Sequence, residues 1–134
     1  MSADILITGG AGYIGAVLTR VLLDEGFTVT VYDNLTFSQS SLLDCCQERK
    51  FKFIRGDIAD EGALTPALKS ADIIIPLAAI VGAPACARNP SLAELVNCSA
   101  PLAMLEKLSP NQKVLFPTTN SGYGIGEVGK YCDE

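Results

Sequence analysis

Histidine is absent from this chain, and none of its cysteines falls in a C-x-x-C pair. A zinc site of the usual Cys/His kind therefore has no ligand set to draw on, and no metal is expected. Positive charge is also short: 10 Lys and Arg stand against 15 Asp and Glu, a net charge of −5. That balance lacks the basic footprint by which proteins hold nucleic acid. No apolar run in the sequence approaches the roughly 18 residues of a membrane span, and no basic stretch of a secretory signal precedes the first strand pattern. No Gly-Lys-Ser/Thr follows the glycines near the start, which disfavours a P-loop nucleotidase. The five cysteines (Cys45, Cys46, Cys86, Cys98 and Cys132) are odd in number and scattered, a usage that suits the reducing cytoplasm. Cys45-Cys46 reads as two small side chains on a short helix in preference to a redox pair.

What the 134 residues do contain is a glycine cluster, Thr8-Gly9-Gly10-Ala11-Gly12-Tyr13-Ile14-Gly15, between an apolar run and a helical pattern. Gly10, Gly12 and Gly15 satisfy G-x-G-x-x-G, and Gly9, Gly12 and Gly15 satisfy the wider G-x-x-G-x-x-G. In a dinucleotide site such glycines allow a tight turn, let the backbone approach a pyrophosphate, and let the helix pack close to the sheet. The helix start then aims free N–H groups and its positive dipole end at the phosphates.

The rest of the chain alternates. Strands are expected at Ala3 to Thr8, Phe27 to Tyr32, Phe51 to Arg55, Asp72 to Pro76 and Lys113 to Pro117. Between them, helical patterns cover Gly12 to Glu25, with Ile14, Val17, Leu18, Val21 and Leu22 on one face for the sheet, and Asp60 to Ser70, with Pro66 limiting its regularity. A short helix is expected after Ser41 as its cap, Val81 to Asn89 reads as a loop, and a long helix from Ser91 to Leu108 is expected to kink at Pro101. Gly26 stands where a left-handed helix cap is expected. This βαβ alternation predicts an α/β, Rossmann-type doubly wound parallel sheet of strand order 3-2-1-4-5. The glycine loop, Leu77 to Ala79, and Thr118 with Thr119 would converge at its switch point.

Two carboxylates stand at strand ends. Asp33 lies at the distance beyond the glycines where an acidic residue accepts from ribose hydroxyls, and no Lys or Arg directly follows it, which favours NAD over NADP. The plainer alternative is an Asx turn. Asp57 is placed to accept from an adenine amino group with Ile58 packing on the ring; here the alternative is a simple cap or turn.

Taken together, Thr8 to Gly15, Tyr32-Asp33-Asn34, Gly56-Asp57-Ile58, Leu77-Ala78-Ala79, and Thr118-Thr119 ahead of Tyr123-Gly124 occur in one order along the chain. In this the sequence resembles the extended short-chain dehydrogenase/reductase family, in its NAD-dependent nucleotide-sugar epimerase/dehydratase branch. The resemblance implies a pyrophosphate loop of Gly9, Gly12, Tyr13, Ile14 and Gly15. It implies ribose contacts from Asp33 and Asn34, adenine contacts from Asp57 and Ile58, and a wall of Leu77, Ala78 and Ala79 beside the nicotinamide ribose. Asn97 corresponds to a structural Asn near the site, Thr118 lies on its cofactor side, and Thr119 corresponds to the catalytic Ser or Thr, whose hydroxyl stabilises the sugar's reacting oxygen. NAD is the implied cofactor and a nucleotide-sugar the implied substrate.

Two departures stand out. Pro76 occupies the place where the family usually has His, and no Tyr-x-x-x-Lys occurs in the chain; Tyr131 comes too early, with no Lys after it. That Tyr is the family's base, its pKa lowered by the Lys. Residues 1–134 are thus expected to be the NAD-binding part, truncated after the fifth strand and without the substrate-binding part, binding NAD weakly and without turnover. Other readings from the sequence are a dinucleotide-binding module or sensor without catalysis, and a reductase for a non-sugar alcohol. A sheet left open at one edge predicts self-association into homo-oligomers.

Overall fold

The computed structural model describes residues 2–118. Five parallel strands form one sheet in the order β3-β2-β1-β4-β5. They are β1 (Asp4–Thr8), β2 (Thr28–Asp33), β3 (Phe51–Arg55), β4 (Ile73–Pro76) and β5 (Lys113–Val114). The expected architecture and strand order are both present. Register follows from pairs such as Ile7 with Val31 and with Ile75, and Val31 with Phe53.

The strands are apolar on both faces because helices cover both. Side chains alternate along a strand, so neighbours in sequence enter different cores. Ile5, Ile7, Val29, Val31 and Ile75 pack on one side with Leu18, Leu22 and Leu23 of α1 (Tyr13–Asp24). Leu6, Tyr32 and Ile74 pack on the other with Leu64, Ala67 and Leu68 of α2 (Glu61–Lys69) and with Met104. Each fully buried aliphatic side chain contributes about 1.5–3 kcal/mol relative to exposure.

Of the face expected for α1, Leu18 and Leu22 pack on the sheet and the other three residues do not. Ile14, Val17 and Val21 are at least half exposed, whereas Gly15 and Thr19 are buried. The reason is the close approach of helix and loop at Gly15, which buries Gly15 and Thr19 beside Leu18 and Leu22 and leaves Ile14, Val17 and Val21 off the core. Gly26 closes the helix as expected, at φ +85°, with the Gly26 N–H bonded to the Leu23 carbonyl and the Phe27 N–H to the Leu22 carbonyl.

Other elements depart in detail. Ser41 does not cap the 3₁₀ turn Leu43–Gln47; its hydroxyl donates to the Ala11 carbonyl at 2.7 Å instead. Cys45 of that turn is a buried core residue while Cys46 is exposed. The segment read as a loop holds a short helix, α3 (Ala83–Arg88), started by Pro84 in its first turn. The long helix is α4 (Pro90–Glu94), a π turn (Leu95–Ser99) and α5 (Ala100–Leu105). Its irregularity thus lies in the wide turn ahead of Pro101, whose nitrogen cannot donate back to the preceding turn. Helix α2 runs unbroken through Pro66.

Candidate functional site

The carboxyl ends of β1, β2, β3 and β4 lie along one edge of the sheet, and the strand order reverses between β1 and β4. The glycine loop leaves β1 there. Its anchor is the Gly9 N–H, which donates to the Tyr32 carbonyl at 2.8 Å. Gly9 has φ +70°, and a Cβ on it would lie 2.5 Å from the Ala78 nitrogen and Cα. Glycine is therefore required twice over, by conformation and by the loop leaving β4. A Cβ on Gly15 would fall 2.5 Å from the Gly10 Cα, so this glycine lets α1 start against the loop.

Gly12 is different. Its φ of −72° suits any residue, and the nearest obstacle to a Cβ is the Gly9 carbonyl oxygen at 3.2 Å. Internal packing alone thus gives only a mild reason for glycine at this position. Gly12 is also the N-cap of α1, and a glycine brings no side-chain oxygen to the helix start. Among the described residues none accepts from the N–H groups of Tyr13, Ile14 or Gly15. The first turn of α1 carries no acidic side chain. Tyr13 and Ile14 are exposed beside it. A 12-residue helix ending in three free amides, without a carboxylate, fits an anion such as a pyrophosphate.

Asp33 is buried. Its Oδ2 accepts from the Ala11 N–H at 3.0 Å and its Oδ1 from the Leu35 N–H at 2.8 Å. The second bond is the Asx turn that the sequence offered as the alternative, and the first ties the end of β2 to the glycine loop. Each carboxylate oxygen keeps a further lone pair for a hydroxyl donor. Asn34 turns its amide to Asp57, Nδ2 to Oδ2 at 3.2 Å, while the Ala59 N–H donates to Asp57 Oδ1 at 2.9 Å. Half-buried Ile58 lies with Thr8, Pro76, Ala78 and Met104 along a narrow apolar crevice.

The segment after β4 is held from two sides. The Leu77 N–H donates to the Thr8 carbonyl, extending the β1–β4 ladder. Asn97, in the π turn, clamps Ile80: its Oδ1 accepts from the Ile80 N–H at 2.8 Å and its Nδ2 donates to the Ile80 carbonyl at 2.9 Å. The structure thus brings together Gly9 to Gly15, Asp33, Asn34, Asp57, Ile58 and Leu77 to Ala79, with Asn97 as a brace. Thr118, the last described residue, is exposed; Thr119, Tyr123 and Gly124 lie outside the described residues.

Sequence reasoning missed two contributors. Ser41 braces the glycine loop through the Ala11 carbonyl, a contact 30 residues away in sequence that no local pattern signals. Tyr32 is fully buried, and its hydroxyl donates to the Asp57 carbonyl at 3.2 Å. The available signal was a hydroxyl-bearing ring at the end of a buried strand, where a partner is needed. Burial, then the Asp60 and Asp57 carboxylates, push its phenol above the ordinary value, so it remains a donor at neutral pH. Among the described residues no group of His, Cys, Asp and Glu is arranged to hold a metal, and no helix is long and apolar enough to cross a membrane.

Comparison with known proteins gives a consistent result. The family model described as the NAD dependent epimerase/dehydratase family matches residues 5–132. A UDP-glucose 4-epimerase of Yersinia enterocolitica is 33% identical over 131 residues, covering 92% of this chain and 39% of that protein. The solved epimerase Mth375 of Methanothermobacter thermautotrophicus superposes with a TM-score of 0.85 at 28% identity, over 97% of this chain and 40% of that one. The UDP-glucose 4-epimerase of Thermus thermophilus, solved as a complex with NAD, gives 0.82 at 28% identity, over 98% and 42%. The chain spans about 40% of the length of these relatives. A family match that begins in the first strand and runs on past the fifth, over a sheet of the order its motifs implied, shows that this chain belongs to the NAD dependent epimerase/dehydratase family.

Proposed function

We propose that residues 1–134 form one dinucleotide-binding unit that holds NAD, and that the activity it serves is epimerase or dehydratase chemistry on a nucleotide-sugar. The observation that carries this is the start of α1: three amides with no acceptor among the described residues, no carboxylate in its first turn, and a Gly12 whose missing Cβ leaves backbone open for a ligand. In this reading Gly9, Gly12, Tyr13, Ile14 and Gly15 bind the pyrophosphate, and Asp33 with Asn34 the adenosine ribose. Asp57 and Ile58 take the adenine. Leu77, Ala78 and Ala79 form the wall beside the nicotinamide ribose, with Asn97 fixing that wall through Ile80 and Thr118 beside it. Thr119 supplies the hydroxyl that donates to the sugar's reacting oxygen. NAD bound there would accept a hydride from the sugar, at C4, and return it. The free thiols of Cys45, Cys46, Cys86 and Cys98 agree with a place in the reducing cytosol.

The test is calorimetric titration of the purified 134-residue chain with NAD and NADP. NAD is expected to bind, and NADP to bind more weakly because its 2′-phosphate meets the Asp33 carboxylate. Turnover of a nucleotide-sugar panel by this chain is expected to be absent, since it contains no Tyr-x-x-x-Lys. A folded chain that binds neither dinucleotide overturns the proposal, and turnover overturns its second part.

A further inference from the structure

We propose that Tyr32 is a positioning residue for the adenine end of the site, setting Asp57 through its main chain. This rests on the reading of Asp57 as the adenine contact. Every polar atom of Asp57 that faces the strand ends is held. Its Oδ2 accepts from Asn34, its Oδ1 from the Ala59 N–H, and its carbonyl from both the Asp60 N–H at 3.0 Å and the Tyr32 hydroxyl. The Tyr32 bond alone crosses from the core to the turn; the others are made within the rim. It is therefore the link by which the core holds Asp57 itself in place.

Gly56 is shaped to that ring. Its φ is not in the left-handed region, yet a Cβ there would overlap the Tyr32 hydroxyl and ring, so the glycine is explained by the tyrosine and not by backbone conformation. The Gly56 N–H donates to the Asp33 carbonyl at 3.1 Å, which keeps the turn in register with β2 while the phenol passes beneath it. Tyr32 thus touches no ligand and acts through Asp57.

The geometry also makes a clean variant. In Tyr32→Phe the ring remains in the core, and the Asp57 carbonyl keeps the Asp60 amide, so no buried polar group is orphaned. The thermal midpoint should stay within about 4 °C of the parent.

The experiment titrates the parent chain and Tyr32→Phe with NAD and with nicotinamide hypoxanthine dinucleotide, which lacks the adenine amino group that Asp57 would accept. The parent is expected to prefer NAD by roughly tenfold, the scale of one hydrogen bond to a charged acceptor. Tyr32→Phe is expected to lose most of that preference while binding the hypoxanthine analogue as the parent does. A variant that keeps the preference overturns the inference, as does one that weakens both ligands equally, the result a general structural role would give. A parent that binds both ligands equally removes the adenine role of Asp57 and this inference with it. A parent that binds neither overturns the cofactor reading itself.

Discussion

Alanine at Gly12 and alanine at Gly15 should fail in opposite ways. At Gly15 the added Cβ would lie 2.5, 2.6 and 2.7 Å from the Gly10 Cα, oxygen and carbonyl carbon. Carbon contacts are optimal at about 3.5–4.0 Å, so the overlap approaches 1 Å on three backbone atoms that cannot rotate away. Overpacking of this kind costs about 1–3 kcal/mol, against a helix-propensity gain for alanine of about 0.5–1 kcal/mol. The overlap on backbone puts Gly15→Ala at the high end, a net loss near 2 kcal/mol and a fall in thermal midpoint of about 8 °C. At Gly12 the sole close atom among the described residues is the Gly9 oxygen at 3.2 Å, and the backbone is one that alanine adopts. The loss there is that of replacing a glycine N-cap by alanine, about 0.5 kcal/mol. Its new methyl, however, stands where the backbone would approach the pyrophosphate, so NAD affinity should fall at least tenfold, about 1.4 kcal/mol. Circular dichroism melts and NAD titration separate the two effects. Wild-type affinity in Gly12→Ala would refute the assignment of Gly12 to the phosphates. A wild-type melt in Gly15→Ala would refute the close approach of α1 to its own loop.

The buried Thr19 hydroxyl has no hydrogen-bond partner among the described residues, so Thr19→Val should raise the thermal midpoint by a few degrees, about 1 kcal/mol; a fall would mean that the hydroxyl is bonded. Asn97→Ala removes both bonds to Ile80 and is expected to increase amide exchange at Ile80 and to weaken NAD binding several-fold, whereas unchanged exchange would count against the clamp. Tyr32 has its pKa raised above 10.0 by burial, so the unfolded chain gives up this proton first and folding stability should decline as pH rises above 10.0. Urea midpoints should show a shallower alkaline decline in Tyr32→Phe, and parallel profiles would contradict that. Ile14, Val17 and Val21 are 63%, 63% and 50% exposed along one side of α1, which supports self-association of the chain. Sedimentation should then show association that Val17→Lys reduces, and a parent monomer at high concentration would sink the idea.

Much of the fold was legible because its determinants are local. Runs such as Ile5-Leu6-Ile7 and Ile73-Ile74-Ile75 are apolar at every position, as strands covered on both faces must be. The glycine spacing placed the switch-point loop, and Gly26 placed the end of α1. The apolar wheel of α1 placed Leu18 and Leu22 on the sheet, but contact with the loop at Gly15 turned Ile14, Val17 and Val21 off the core and brought Gly15 and Thr19 into it. Pro84 reads as a loop residue and instead stands in the first turn of α3, where its missing N–H has no consequence, whereas Pro90 begins α4, as Asn89-Pro90 in the sequence implies.

By itself the sequence determined the strand order, the position of the dinucleotide loop and the pair of strand-end carboxylates. Apolar runs, glycines and connection lengths act over a few residues and leave one right-handed way to wind the sheet. Tertiary structure alone decided how those carboxylates are held: Asp33 by the Ala11 amide, and Asp57 by Tyr32 and Asn34. It also decided that Asn97 reaches back to Ile80 and Ser41 to Ala11. Those bonds join residues 17 to 30 positions apart, and they exist because a parallel sheet gathers the ends of separate strands at one edge.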